Sequence, residues 1–174
     1  MSRIGLLFAL FVVGVLGVSL TWAHWPHHPL SDDARGDRIV IRKSARVLDL
    51  YRGEVLLKKY RIALGADPIG PKSREGDHRT PEGRYRIDYR KADSSFHRAL
   101  HISYPSVEDS ARAANVGVNA GGIIMIHGIR NGLGWLGRLH RLSDWTDGCV
   151  AVSNEEIEEL YRAAPDGTIV ELRP

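Results

Sequence analysis

The run Ile123-Ile124-Met125-Ile126-His127-Gly128 decides how the chain is read. Ile123–Ile126 is continuously apolar, as in a strand buried on both faces, and a histidine and a glycine end it. Outward from this run the period stays at two. Leu100, Ile102 and Tyr104 alternate with polar neighbours, and Tyr85, Ile87 and Tyr89 alternate with Arg84, Arg86, Asp88 and Arg90, a strand with one buried face. Ile39 and Ile41 begin the series, Val47–Tyr51 turns at Arg52-Gly53 into Val55–Leu64, and Thr168–Leu172 ends it. Two helices interrupt the strands. One covers Val107–Ala114. The other covers Asn154–Ala163, where Ser153 and Glu156 form a capping box, Ile157, Leu160 and Tyr161 share a face, and Pro165-Asp166-Gly167 follows. The expectation is one mainly β domain over residues 38–174, with two or three short helices.

Composition agrees. The chain has 174 residues, 24 Lys+Arg against 21 Asp+Glu, a net charge of +3 and 43% hydrophobic residues. That excludes a disordered tail and a polytopic membrane protein. At roughly 150 residues per domain it is about one domain. Eighteen glycines and eight prolines are too many for a helical bundle. No long basic run is present, so nucleic acid is not an expected partner.

Residues 1–23 read as a targeting element: Arg3 supplies a positive start, Ile4–Leu20 is uncharged and apolar, and Thr21-Trp22-Ala23 ends it. Two readings stand, a signal cleaved after Ala23 or an anchor long enough to span about 30 Å of hydrocarbon. Membrane contact is expected only through this segment. Residues 24–37, HWPHHPLSDDARGD, read as a linker, and His24, His27 and His28 have no scaffold that would converge them on a metal.

Two long segments without strand period, 65–83 and 128–148, read as loops shaping a cleft. The second holds Leu133, Trp135 and Trp145, together with Arg130, Arg138, His140 and Arg141, which either contact substrate carboxylates or are solvated. Tyr104 and Trp135 belong to the core or to the cleft, and His97 and His101 fit an exposed sheet face.

Chemistry gathers at the ends of the second loop. The apolar run ends in His127-Gly128 and the loop ends in Asp147-Gly148-Cys149, so a strand end and a loop end can place imidazole beside thiol. The thiolate is the reactive species, and a neighbouring imidazole lowers the thiol's pKa and later protonates a leaving amine. Gly148 would let the backbone bend so that amide N–H groups face an oxyanion, with Gly128 supporting the turn. Thiol acyl transfer needs no cofactor. A zinc site from His127, Asp147 and Cys149 matches no standard ligand spacing. Cys149 is the only cysteine, so no intrachain disulfide forms, and on residues alone it is either a nucleophile or a small buried hydrophobe.

The ordered series Thr80-Pro81-Glu82-Gly83, Ile126-His127-Gly128 and Asp147-Gly148-Cys149-Val150-Ala151-Val152-Ser153-Asn154 resembles the L,D-transpeptidase catalytic domain, the YkuD-like family of peptidoglycan enzymes. The resemblance spans Ile39 to Leu172. It implies a β-sandwich of mixed sheets, with Cys149 as nucleophile and His127 as general base and acid. The implied partners are peptidoglycan stem peptides, with an amine of a second stem or of an envelope protein accepting the acyl group. Water in place of the amine gives an L,D-carboxypeptidase or endopeptidase, and loss of reactivity leaves a wall-binding module. Two residues depart from the family's pattern: Asp147 stands where histidine is common, and Ala151 where arginine or asparagine is common. Asp147 then orients an imidazole, contacts substrate, or only makes the turn. The implied location is the periplasm or cell envelope.

Overall fold

The computed structural model describes residues 3–23 and 28–174. Its strands are β1 (Arg38–Arg42), β2 (Val47–Arg52), β3 (Val55–Arg61), β4 (Gly83–Ser94), β5 (His97–Ile102), β6 (Met125–His127), β7 (Val150–Ala151) and β8 (Ile169–Arg173). They join in the order β3-β2-β1-β8-β4-β5-β6-β7. The β1–β8 and β6–β7 pairs are parallel and the others antiparallel. The predicted mixed β architecture is therefore present.

One long strand gives the sheet its curl. β4 pairs with β8 along Gly83–Arg86 and with β5 from Ile87 onward, and the register against β5 shifts twice. Such irregularities increase local twist, so one strand serves both halves of the sheet. The two ends then meet. Beyond β3, Ala63 exchanges both backbone hydrogen bonds with Ala151, at 2.9 and 2.8 Å, and Thr146 N–H donates to Leu64 O at 3.1 Å. The enclosed core contains Ile39, Ile41, Leu48, Leu50, Leu100 and Ile126.

Helix α3 (Asn154–Ala163) carries the capping box read from sequence: Ser153 Oγ accepts from Glu156 N–H, and Glu156 Oε2 accepts from Ser153 N–H. Its buried Ile157 and Leu160 join the core. Helix α2 (Val107–Asn115) has a similar box from Ser106 and Asp109. The preceding helix, α1 (Arg3–Ala23), has exposed apolar side chains, Leu7, Phe8 and Phe11 among them. Those residues are not part of the domain core. Among the described residues no helix is long and apolar enough to cross a membrane.

Several expectations change. Ile123 is not in a strand: it is 71% exposed with φ of 56°, and β6 begins only at Met125. The second loop contains a 3-10 helical segment, Gly134–Leu142, kinked at Gly137. His101 is buried, stacked on Tyr89 and bonded to Asp88 at 2.5 Å, rather than facing solvent. His97 remains half-buried, paired with Glu158 at 2.8 Å. The first loop is pinned from beneath by Lys43, buried and donating to Gly70 O, Thr80 O and Glu82.

The stretch read as a linker is also seated, from His28 onward. Leu30 is buried in the core, its N–H donates to Glu159, Arg162 donates to Leu30 O, and Gly36 N–H donates to Ala163 O. Lys58 ties the start of the stretch down by donating to His28 O. His24 and His27 lie outside the described residues, and among those described no group of three or more His, Cys, Asp or Glu could hold a metal ion. Leu30→Ala should therefore destabilise the domain by about 2 kcal/mol in urea unfolding. A loss below about 0.5 kcal/mol would mean that this segment contributes no packing.

Candidate active site

The short parallel pair β6–β7 brings the two ends of the second loop together. Its register sets Ile126 beside Val150 and His127 beside Ala151, so Cys149 lies next to Met125. Residues two apart on a strand share a face. Met125 and His127 accordingly line the same cleft as Cys149, a cavity of about 670 Å³. The Met125 N–H donates to Cys149 Sγ at 3.4 Å, and the thiol faces Ile123 O at 3.7 Å. Ile123 is β-branched and in the left-handed region, an uncommon conformation that turns this carbonyl toward the sulfur.

Glycine is required before Cys149. Gly148 has φ of 121°, and a Cβ there would come within 2.6 Å of Arg79 O. The turn is locked by Thr146, whose hydroxyl donates to Cys149 O at 2.7 Å and accepts from Gly148 N–H at 3.2 Å. Gly128 is required for a different reason. A Cβ there would meet Asn154 Oδ1 at 2.8 Å, and that oxygen accepts from Ile129 N–H at 2.9 Å. Asn154 thus fastens the loop leaving His127 to the start of α3.

Neither glycine's own N–H is free to face an oxyanion. The Gly148 N–H is used by Thr146, and the Gly128 N–H is shared between Phe96 O and Arg98 O. Both residues shape backbone. Gly128 does supply something else, since its carbonyl lies 2.7 Å from His127 Nδ1. A carbonyl can only accept, so Nδ1 carries the proton and Nε2 keeps its lone pair. A backbone oxygen therefore orients the imidazole, a partner with no side-chain signature to find in sequence. Asp147 does not take that part. Its exposed carboxylate pairs with His78 Nδ1 at 2.8 Å, across the mouth of the two long loops. Ala151 is fully buried beneath the site, held by Ala63.

Burial dominates the electrostatics. It lowers His127 to about 4, and the Gly128 carbonyl opposes only part of that. It also raises the Cys149 thiol above the ordinary 9.0; the Met125 N–H and the Lys72 cation pull it down, and Asp147 adds to the rise. Burial thus favours the uncharged form of both the thiol and the imidazole that line this cleft.

The remaining cleft residues sort as follows. Phe96 and Trp145 pack around the His127 ring, at 4.5 and 5.8 Å between centroids. His140 lines the cleft but is buried rather than solvated, and Arg141 is paired with Glu156. Arg130 is exposed at the rim, while Arg138 lies at a separate cavity with Arg61 and Lys59. Tyr104 is core, donating to Ala120 O, and Trp135 is 58% exposed outside the cleft lining.

The sequence pattern of the YkuD family, the L,D-transpeptidase catalytic domain, matches residues 36–172. The chain is 33% identical over 130 residues to an Escherichia coli (strain K12) protein named "Putative L,D-transpeptidase YafK", covering 71% of this chain and 45% of that one. In structure it resembles a variant of the helical cell shape determining protein Pgp2 from Campylobacter jejuni, with a TM-score of 0.61 and 25% identity over 81% of this chain and 48% of that one. A variant of the Enterococcus faecium L,D-transpeptidase shares the fold, with a TM-score of 0.53 and 12% identity over 80% of this chain and 50% of that one. The chain spans about half the length of these proteins.

His127 carries a pH prediction. It stays neutral in the folded protein down to about 4 but takes a proton near its ordinary 6.5 once unfolded. The unfolded chain thus binds more protons between these values, and stability from this group rises with pH across that window. Urea midpoints should fall from pH 7 to pH 4.5, and His127→Phe should lessen the fall. An equal fall in the variant would place the acid sensitivity elsewhere.

Proposed function

Because the chain belongs to the L,D-transpeptidase catalytic domain family, we propose that it is a cysteine acyltransferase acting on peptidoglycan stem peptides. The observation that carries this reading is the placement of Cys149, at the entry to β7, and His127, on the neighbouring β6, in one cleft, with Nδ1 held by Gly128 O.

In this mechanism Cys149 Sγ attacks the carbonyl carbon that joins the L-centre of a stem diamino acid to a terminal D-residue. The S–H proton passes to His127 Nε2 as the S–C bond forms, so the neutral resting pair becomes charged only with the tetrahedral intermediate. Collapse breaks the C–N bond, and the imidazolium gives its proton to the departing amine. A thioester remains. An amine of a second stem or of an envelope protein then attacks the thioester carbonyl, His127 removes its proton, and the thiolate is expelled and reprotonated. Water in the acceptor's place would give hydrolysis, so the balance rests on how the cleft holds an amine.

The cell envelope is the proposed place of action, and residues 1–23 are the proposed export signal. The Campylobacter jejuni protein of similar fold determines helical cell shape, which accords with work on the wall. Asp147, where the family commonly has histidine, holds the loops together through His78 and is outside the reaction.

The test is intact-mass spectrometry of the full chain with a purified disaccharide-tetrapeptide. Wild type should gain the mass of the acyl group, and Cys149→Ala should not. His127→Ala should acylate about 10²–10⁴-fold more slowly. An adduct on Cys149→Ala, or a loss under tenfold for His127→Ala, would overturn these assignments. Asp147→Asn should stay within about twofold of wild type, as for an exposed pair of small energetic weight; a loss of tenfold or more would place Asp147 in the reaction.

A further inference from the structure

Among the described residues, three buried polar atoms of the second loop that line the cleft have no hydrogen-bond partner, both ring nitrogens of His140 and the indole Nε1 of Trp145, and Arg141 Nε, outside the cleft, is a fourth. Buried polar groups are nearly always paired, so an orphaned set calls for an explanation. Both residues line the same cleft as Cys149 and His127. His140 is only 6% exposed, and its ring meets Trp145 edge-on at 6.3 Å. Trp145 in turn meets the His127 ring at 5.8 Å. Around them the cleft is walled by Leu133, Leu136 and Leu139.

We propose that His140 and Trp145 form a subsite for one uncharged amide of the acyl acceptor, adjoining His127. The inference rests on the preceding reading that the cleft binds peptide. A neutral imidazole offers one donor and one acceptor, and an indole offers one donor. An amide matches this set, its oxygen accepting from Trp145 Nε1–H and its N–H donating to a His140 nitrogen. A carboxylate does not. It brings acceptors only, and burial together with the Arg141 cation holds His140 down at about 3, so no imidazolium is present to receive an anion. Arg141 itself is committed to Glu156, and Arg130 stands exposed at the rim. Because His127 handles the amine in both half-reactions, a group bound next to it lies on the amine side of the reacting bond. The subsite thus favours an amine whose neighbouring carboxyl is already in amide linkage, and holds poorly the free D-amino acid that the first step releases.

Two readouts test this separately from the reading it rests on. The first compares D-alaninamide with D-alanine as acceptor, at equal free-amine concentration, on the full chain acylated by the tetrapeptide. Wild type should use the amide about tenfold better. His140→Phe and Trp145→Phe should each bring the ratio near one, the ratio being taken within each variant's own acylated protein so that any change in acylation cancels. The second is the ¹H–¹⁵N spectrum of the unacylated protein, where D-alaninamide should shift the Trp145 indole signal, identified by its loss in Trp145→Phe, and D-alanine should not. A shift without any acyl-enzyme would sustain the subsite and sink the transferase reading. Acyl-enzyme with an unaltered acceptor ratio in both variants, or an indole signal indifferent to the amide, would overturn the subsite.

Discussion

The site depends on a two-residue strand held from both sides. β7 is only Val150–Ala151 and would have no stability alone. On one side it pairs with β6, and on the other Ala151 exchanges two hydrogen bonds with Ala63, where the curled sheet meets its own far end. Cys149 precedes this strand directly. The position of the sulfur relative to His127 is thus fixed by closure of the sheet, and the left-handed Gly148, wedged against Arg79 O, is the turn that lets the chain enter it.

The same closure sets the electrostatics. Enclosing a thiol and an imidazole among Phe96, Ile129 and Trp145 disfavours charge on both. The resting site is neutral, and in the proposed mechanism charge develops only as a substrate carbonyl accepts it. A protonated thiol is also a poorer target for oxidation.

Much of this was legible in the sequence, and the exceptions have physical reasons. Strands with one buried face announce themselves by alternation, as at Tyr85, Ile87 and Tyr89, and α3 by its Ser153/Glu156 box. The apolar run at Ile123 misled because hydrophobicity cannot distinguish a strand from a left-handed turn that a β-branched residue is forced to adopt. Leu30 sits among Pro, Asp and Gly residues that look like linker, and only tertiary contact shows it seated. His140 reads as either a substrate contact or a solvated loop residue because neighbouring arginines mask the apolar side of a 3-10 turn. The partner of His127 was invisible for a simpler reason: it is a main-chain oxygen.

The central claim is that Cys149 and His127 rest as a neutral pair. The most direct measurement is thiolate absorbance at about 240 nm against pH, taken as the difference between wild type and Cys149→Ala. The account predicts that the thiolate signal appears only above the ordinary thiol value of 9.0. A thiolate already present at pH 7, and lost in His127→Ala, would show a preformed ion pair and contradict it.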